Sequence, residues 1–344
     1  MIKKSKILVT GGLGFIGSHT VVELSSQGFE IVIVDDLSNS SIDTLKGLQN
    51  ITKKNLIFEK IDLKNKILVK SLFNKYNDID GVIHFAASKA VGESVINPLK
   101  YYENNLITLI NLLQEINIKK RNISFIFSSS CTVYGQAKEL PITEKETIKE
   151  AESPYGNTKQ ICEEILKDSC LANNNLKAIS LRYFNPIGAH PSKEIGELPI
   201  GKPQNLIPFI TQTAIGKHNQ LTVFGNDYPT KDGTCIRDYI HVVDLAKAHI
   251  KSLKRLIENK NILNYDVFNI GTGKGSSVME VIKSFEKVSG QKLKYIIGPK
   301  RKGDIIEAYA DPKKANKILN WKTEQNLDQA MLSAWEWEKK LQQI

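Results

Sequence analysis

The sequence is poor in arginine: of its 47 basic residues 5 are arginine and the others lysine. A formal charge of +10 would suit a nucleic-acid surface, because a basic face releases counterions from phosphate backbones. Here, however, the lysines are scattered among Asn and Ile along the whole chain, which is the pattern of solvated background. The densest cluster, Lys300-Arg301-Lys302, suits a small acidic ligand equally well. Cysteine is scarce too. Cys131, Cys162, Cys170 and Cys235 include no CxxC pair, and their spacing gives neither a disulfide framework nor a zinc site, so a reducing, cytoplasmic setting without a metal is expected. No run approaches the roughly 18 uninterrupted apolar residues of a membrane helix. The opening Met1-Ile2-Lys3-Lys4-Ser5 has no apolar h-region, so no secretory signal is expected. Neither nucleic acid nor membrane is an expected partner.

What is present is ordinary globular composition: 344 residues, 41% apolar and 24% charged, enough for one large domain or two modest ones. The first half alternates short β-branched runs with longer amphipathic stretches. Lys6 to Thr10, Ile31 to Val34, Leu56 to Glu59, Gly81 to Phe85, Ile123 to Ser128 and Ala178 to Tyr183 read as strands, with helical periodicity between them. Such a βαβ series, apolar on both strand faces, predicts a Rossmann-type α/β fold with a doubly wound parallel sheet. After Asn185 the pattern loosens. Residues 186 to 237 are rich in Pro, Gly and Asn and read as long binding loops, and Asp328 to Leu341 reads as a closing helix.

The run Lys6 to Thr10 empties into Thr10-Gly11-Gly12-Leu13-Gly14-Phe15-Ile16-Gly17, a GxxGxxG turn that opens a helix. Glycine permits the tight turn, the close approach of backbone to a pyrophosphate, and the packing of helix on strand. The next strand ends at Asp35, about 20 residues on, where a carboxylate accepts hydrogen bonds from a ribose diol and repels a 2'-phosphate. NAD is therefore expected over NADP. Asp62, just past the third strand, suits either the adenine or a simple turn.

A second constellation is Ser128-Ser129-Ser130-Cys131-Thr132 after the fifth strand, followed by Ser153-Pro154-Tyr155-Gly156-Asn157-Thr158-Lys159. Ser153 is a good N-cap and Pro154 a good first helical residue, which puts Tyr155 and Lys159 one turn apart on one face. A neighbouring ammonium and a positive nicotinamide ring both favour a phenolate, so Tyr155 is expected to act as a general base near neutral pH.

These motifs, with His84-Phe85-Ala86, Lys89-Ala90-Val91-Gly92-Glu93-Ser94, Thr132-Val133-Tyr134-Gly135, Leu181-Arg182-Tyr183-Phe184-Asn185-Pro186, Phe224-Gly225-Asn226-Asp227-Tyr228-Pro229, Asp232-Gly233-Thr234, Arg237-Asp238-Tyr239-Ile240-His241 and Arg301-x-Gly303-Asp304, resemble the extended short-chain dehydrogenase/reductases. Within that family they resemble the UDP-hexose 4-epimerase branch over nearly the whole chain. The resemblance implies a NAD-binding part of residues 1–185, with 238–269 folding back onto it, and a smaller UDP-sugar part of 186–344. It implies Tyr155, Lys159 and Ser130 as catalytic groups. It places Gly11, Gly14, Phe15, Ile16 and Gly17, then Asp35, Asn39, Asp62 and Leu63, around the cofactor. Phe85, Ala86, Lys89, Asn104, Ser128 and Tyr183 join them, together with Tyr155 and Lys159. For the UDP-sugar it implies Lys89, Ser130, Tyr155, Phe184, Asn185, Asn205 and Leu206. Val223, Phe224, Arg237, Tyr239, Arg301, Asp304 and Ala308 complete that set. Arginine suits a diphosphate because its planar fork binds two oxygens at once, and two of the five arginines, Arg237 and Arg301, belong to the UDP-sugar set.

The implied activity interconverts UDP-galactose and UDP-glucose through a 4-keto sugar. In the branch, the position four residues past Asp304 borders the hexose C2 substituent; here it is Ala308, so N-acetylated UDP-sugars are expected substrates too. A homodimer through helices around 91–117 and 154–172 is also implied. The rival on the same fold is a nucleotide-sugar 4,6-dehydratase or decarboxylase, but a dehydratase would carry an Asp-Glu pair after Thr132, where Val133-Tyr134 stands. The chain departs from the branch at Ala87-Ser88 (Gly-Leu is usual), Cys131 (Ala), Cys235 (Gly), and Leu198, Ile200 and Gln204 before Asn205.

Overall fold

The structure, a computed structural model, describes residues 5–301 and 304–342. Met1 to Lys4, and Lys302 and Gly303 of the Arg301 motif, lie outside the described residues. The chain opens with β1 (Lys6–Thr10), α1 (Phe15–Ser26), β2 (Glu30–Asp35), α2 (Asp43–Thr52), β3 (Ile57–Lys60), α3 (Lys66–Lys75) and β4 (Ile79–His84). It continues with α4 (Val91–Ile96), α5 (Pro98–Lys119), β5 (Ile123–Ser128), a 3-10 turn at Cys131–Tyr134, α6 (Pro154–Ala172) and β6 (Leu176–Tyr183). Next come β7 (Asn185–Ile187), α7 (Leu206–Ala214), β8 (Leu221–Phe224), β9 (Ile236–Arg237), β10 (Tyr239–His241), α8 (Val242–Ile257) and β11 (Tyr265–Ile270). Last are β12 (Ser276–Ser277), α9 (Val278–Ser289), β13 (Tyr295–Gly298), β14 (Glu307–Ala308), α10 (Lys313–Ile318) and α11 (Leu327–Leu341).

Seven parallel strands form the central sheet in the order β11-β6-β5-β4-β1-β2-β3. Side chains alternate across it, as a strand's period of two requires. On β1, Ile7 and Val9 join a core with Val21 and Leu24 of α1 and Leu245 and Leu253 of α8. Leu8 between them faces the other way, onto Val69 of α3, Leu109 and Leu112 of α5 and Leu166 of α6. Helices thus cover both faces, which is why the strands read as continuous apolar runs. The chain order runs outward from β1 in both directions, so the carboxyl ends of β1 and β4 meet where it reverses, the place where ligands bind in such sheets.

The expected strands lie within two residues of those observed, while β11 carries no expectation. Its sequence, Tyr-Asp-Val-Phe-Asn-Ile, is broken by Asp266 and Asn269, yet Asn269 is fully buried because its amide serves a polar network described below. The reading of 186–237 as long loops is corrected. The segment holds β7, α7, β8 and β9, and α7 was obscured because Pro208 stands in its first turn, where a missing N–H costs nothing. Ile207, Ile210, Val223, Phe285, Met331 and Trp335 of α7, β8, α9 and α11 build a third core beside the sheet.

Candidate active site

The glycine turn has the geometry its spacing implies. Gly11 adopts φ +65°, and a Cβ there would lie 2.7 Å from the backbone nitrogen of Ala86, at the end of the adjacent β4. At Gly17 a Cβ would lie 2.2 Å from the carbonyl oxygen of Gly11, so any side chain would push α1 off the turn. α1 begins at Phe15 with no side-chain cap and no acidic residue in its first turn, leaving its amino end open to an anion. The buried Asp35 carboxylate accepts hydrogen bonds from Leu13 N (3.0 Å), Leu37 N (3.0 Å) and Ser40 Oγ (2.7 Å), which aims it at the turn. A bare helix end beside a fixed carboxylate fits a pyrophosphate joined to a ribose diol. Asp62 accepts from Lys64 N at 2.9 Å, a turn contact, and Leu63 behind it is buried. Asn39 is exposed in the loop after β2.

Beyond β5 the serine run turns under α6. Ser153 caps α6 by accepting from Gly156 N, with Pro154 in the first turn, and this places Tyr155 and Lys159 on the buried face. Lys159 Nζ donates to the carbonyl oxygen of Ser128 at 2.8 Å and lies 4.7 Å from the centre of the Phe127 ring. Burial pulls its ammonium down to about 8. Its distance to the centre of the Tyr155 ring is 5.9 Å. Burial pushes the Tyr155 phenol well above its ordinary range, with Tyr183 adding to the rise and the Ser130 hydroxyl opposing it. Lys159 thus bonds the backbone beneath Tyr155 and not the phenol oxygen itself. Ser128 and Tyr183, both expected at the cofactor, bond each other at 2.8 Å, and Phe85 continues β4 by donating its amide to Thr10 O at 3.0 Å.

The other half of the site hangs on β9, which pairs with β14 so that Arg237 stands beside Ala308. Ala308 is buried and packs in one cluster with Phe184, Val133 and Cys131, so it lies against the serine run. Tyr309 points away, over Gly275, whose Cβ would come within 3.1 Å of its ring. Asn185 on β7 donates its amide to Asp238 O at 2.9 Å and runs beside Tyr239 on β10. Arg301 and Asp304 meet through Nε–Oδ2 (3.0 Å) and Nη2–Oδ1 (3.1 Å), while the guanidinium stacks 4.8 Å above the half-exposed Phe224. This leaves the remaining guanidinium N–H groups for an anion. Val223 is buried behind Phe224, and Leu206 opens α7 after Asn205.

Four residues that hold the site together escaped the sequence reading. Asn105, next to the expected Asn104, is buried; it accepts from Ser88 N (2.8 Å) and donates to Ser88 O (3.1 Å) and Thr158 Oγ1 (3.0 Å), clamping the loop after β4 to α6. Asn104 itself reaches Ser88 Oγ at 3.3 Å. Glu163, one turn past Lys159, accepts from Ser129 Oγ (2.6 Å) and from Arg182. Arg182 then reaches Tyr134 Oη, which donates to Asn269. Asp238 accepts four hydrogen bonds, from Thr272 N and Oγ1, Gly273 N and Ala310 N. Glu197 accepts from Asn205 and pairs with Lys89. Asp238 stands in a quoted motif, but none of these roles shows in a local spacing, because partners lie 8 residues away in one case (Asn205 for Glu197) and 72 residues away in another (Ala310 for Asp238).

A family model described as GDP-mannose 4,6 dehydratase matches residues 8–333. The chain is 50% identical over 335 residues to UDP-glucose 4-epimerase of Bacillus subtilis (strain 168), covering 96% of each. It is similar to the structure of UDP-glucose 4-epimerase from Bifidobacterium longum in complex with NAD+ and UDP, with 45% identity, TM-score 0.92 and 98% of each chain covered. It is also similar to the UDP-Glc/GlcNAc 4-epimerase from Campylobacter jejuni, with 39% identity, TM-score 0.83, and 98% and 99% of the two chains covered.

Proposed function

The chain belongs to the extended short-chain dehydrogenase/reductases and within them to the UDP-glucose 4-epimerases, and we propose that it inverts C4 of UDP-hexoses with Tyr155 as the acid–base group. Its activity is that of an isomerase interconverting UDP-galactose and UDP-glucose, and its cofactor is NAD. The observation that carries the assignment of residues is the Tyr155 phenol, buried beside Ser130 and one helical turn from a buried Lys159.

NAD, when bound, takes hydride from C4 and returns it to the other face of the 4-keto sugar, so no net redox occurs. Gly11, Gly14 and the bare amino end of α1 hold its pyrophosphate, and Asp35 its ribose. Tyr155 Oη, as the phenolate that the Lys159 ammonium and the positive nicotinamide ring of bound NAD would together favour, takes the proton of the 4-hydroxyl and later gives it back. Lys159, fixed on Ser128 O, keeps a cation below the tyrosine, and Ser130 Oγ hydrogen-bonds the reacting oxygen. Burial excludes water, which keeps that proton on the tyrosine between the two halves of the cycle. Asn205, Phe224, Arg237, Tyr239 and Arg301 hold UDP while the keto sugar turns.

The dehydratase reading finds no acid–base carboxyls where it needs them, since Val133 and Tyr134 after Thr132 are fully buried in core. Two finer statements belong to the same proposal. Ala308, small and beside Arg237, leaves room at C2 for an acetamido group. A homodimer forms through α5 and α6, where Leu99, Ile107, Ile110, Ile118 and Leu171 are exposed; sedimentation of the holoenzyme tests it. We divide the chain at residue 185, with 238–269 returning to the cofactor half. Conversion of UDP-galactose, followed with UDP-glucose dehydrogenase as coupling enzyme, tests the activity; no product would overturn the reading.

A further inference from the structure

Resting on the site just proposed, we infer that Glu197 is a positioning residue that sets Lys89 and Asn205 for the UDP-sugar and ties the cofactor half of the site to the nucleotide half. Lys89 comes from the loop after β4 and Asn205 from the head of α7, and both side chains reach the same carboxylate. Asn205 Nδ2 lies 2.6 Å from Glu197 Oε1, and Lys89 Nζ 3.7 Å from it.

Three features show that Glu197 directs its partners rather than following them. Its own segment is wedged. The indole Nε1 of Trp337 donates to Glu197 O at 2.9 Å, and a Cβ at Gly196 would lie 2.5 Å from that ring. On the other side Glu194 accepts from Asn50 of α2 at 3.0 Å and pairs with Lys340 of α11, while a Cβ at Gly47 would lie 2.4 Å from Glu194 O. By contrast Lys89 and Asn205 are exposed and have no other side-chain partner in the described contacts. Finally, Asn205 stands at the N-cap of α7, where an asparagine ordinarily turns inward to the helix amides, yet it makes no cap bond and reaches out to Glu197.

The chemistry of a carboxylate explains the use. It only accepts, so the Asn205 amide must give it an N–H, which fixes the amide's orientation and leaves its carbonyl and second N–H for the nucleotide. An ammonium held on one side by Glu197 keeps its other donors for a phosphate or a sugar hydroxyl. The Lys89 pair is solvated and weak, so its effect is on placement and not on folding stability.

The test uses the NAD-bound protein, UDP titrated by calorimetry, and UDP-galactose kinetics. Glu197→Ala should raise the UDP dissociation constant and KM about tenfold, because ligand must then order both side chains, while kcat stays within about threefold. Glu197→Gln, which can still accept from Asn205, should recover most of the loss. In an Asn205→Ala background the further effect of Glu197→Ala should shrink to that of the Lys89 contact. Melting temperatures of the holoenzymes should not move. UDP binding by Glu197→Ala equal to or tighter than wild type would overturn the inference, as would losses explained by a lowered melting temperature. A wild type that does not bind UDP would overturn the reading of the whole site, whereas a wild type that binds and variants that bind alike overturn only the role of Glu197.

Discussion

Lys159 Nζ lies 5.9 Å from the centre of the Tyr155 ring while it donates at 2.8 Å to Ser128 O, so the ammonium is tied to the backbone under the tyrosine and not to its hydroxyl. Burial lowers its pKa to about 8 from the ordinary 10.5, which has a consequence for stability. Between those values the unfolded chain binds more protons than the folded one, so stability from this group rises with pH across that window. The NAD-free wild type should therefore gain stability relative to Lys159→Met as pH goes from about 7.5 to about 9.5 in urea unfolding. A difference that stays constant over that range would contradict it.

Tyr155→Phe keeps the buried ring and its packing and removes the only hydroxyl that can move the 4-OH proton from this position. Folding and NAD content should be retained, with turnover reduced on the order of 100-fold or more. Near wild-type turnover would show that another group is the base.

The redox cycle closes on itself, and on the proposed reading Asp35, fixed by the Leu13 amide, offers an acceptor to the ribose diol. Purified protein should therefore carry its nucleotide, and the supernatant after denaturation should contain NAD or NADH without NADP. A preparation free of nucleotide and active only when NADP is supplied would defeat the role given to Asp35.

Ala308 pairs with Arg237 and packs with Phe184 and Cys131, whereas Tyr309 lies against Gly275, which supports the proposal that position 308 borders the sugar. Wild type should turn over UDP-GlcNAc, and Ala308→Tyr should lose that activity through overpacking of roughly 1 to 3 kcal/mol while keeping UDP-glucose. Equal turnover of UDP-GlcNAc by both proteins would show that residue 308 is not the gate.

Glu163 and Arg182 form an ion pair of 2.5 Å with each side chain about 6% exposed, continued by Ser129 on one side and Tyr134 on the other. Glu163→Gln leaves the guanidinium buried without its counter-charge, at a cost of about 3 to 5 kcal/mol. The urea midpoint should fall with little change in slope. An unchanged midpoint would mean that Arg182 finds another partner.

The linear sequence by itself determined the parts that depend on neighbours in the chain. Apolar runs joined by helical crossovers imposed the parallel sheet, three glycines between β1 and α1 shaped the cofactor turn, and Ser153-Pro154 started α6 in the phase that turns Tyr155 and Lys159 inward. These are effects of period, turn and cap, whose range is a few residues. What only the tertiary structure decided are properties set by contacts across long separations. Glu163 finds Arg182 on β6, Asn105 finds Ser88, and Asn269 on β11 finds Tyr134, because a buried polar group must be satisfied by whatever the packing brings near it. Glu197 likewise gains its meaning from Lys89 and Asn205, which reach it from different halves of the site. The state of Tyr155 belongs to the same class. Its position on the helix was legible, but burial and Tyr183 raising the phenol against the Ser130 hydroxyl lowering it are effects summed over three dimensions, and burial is the largest of them.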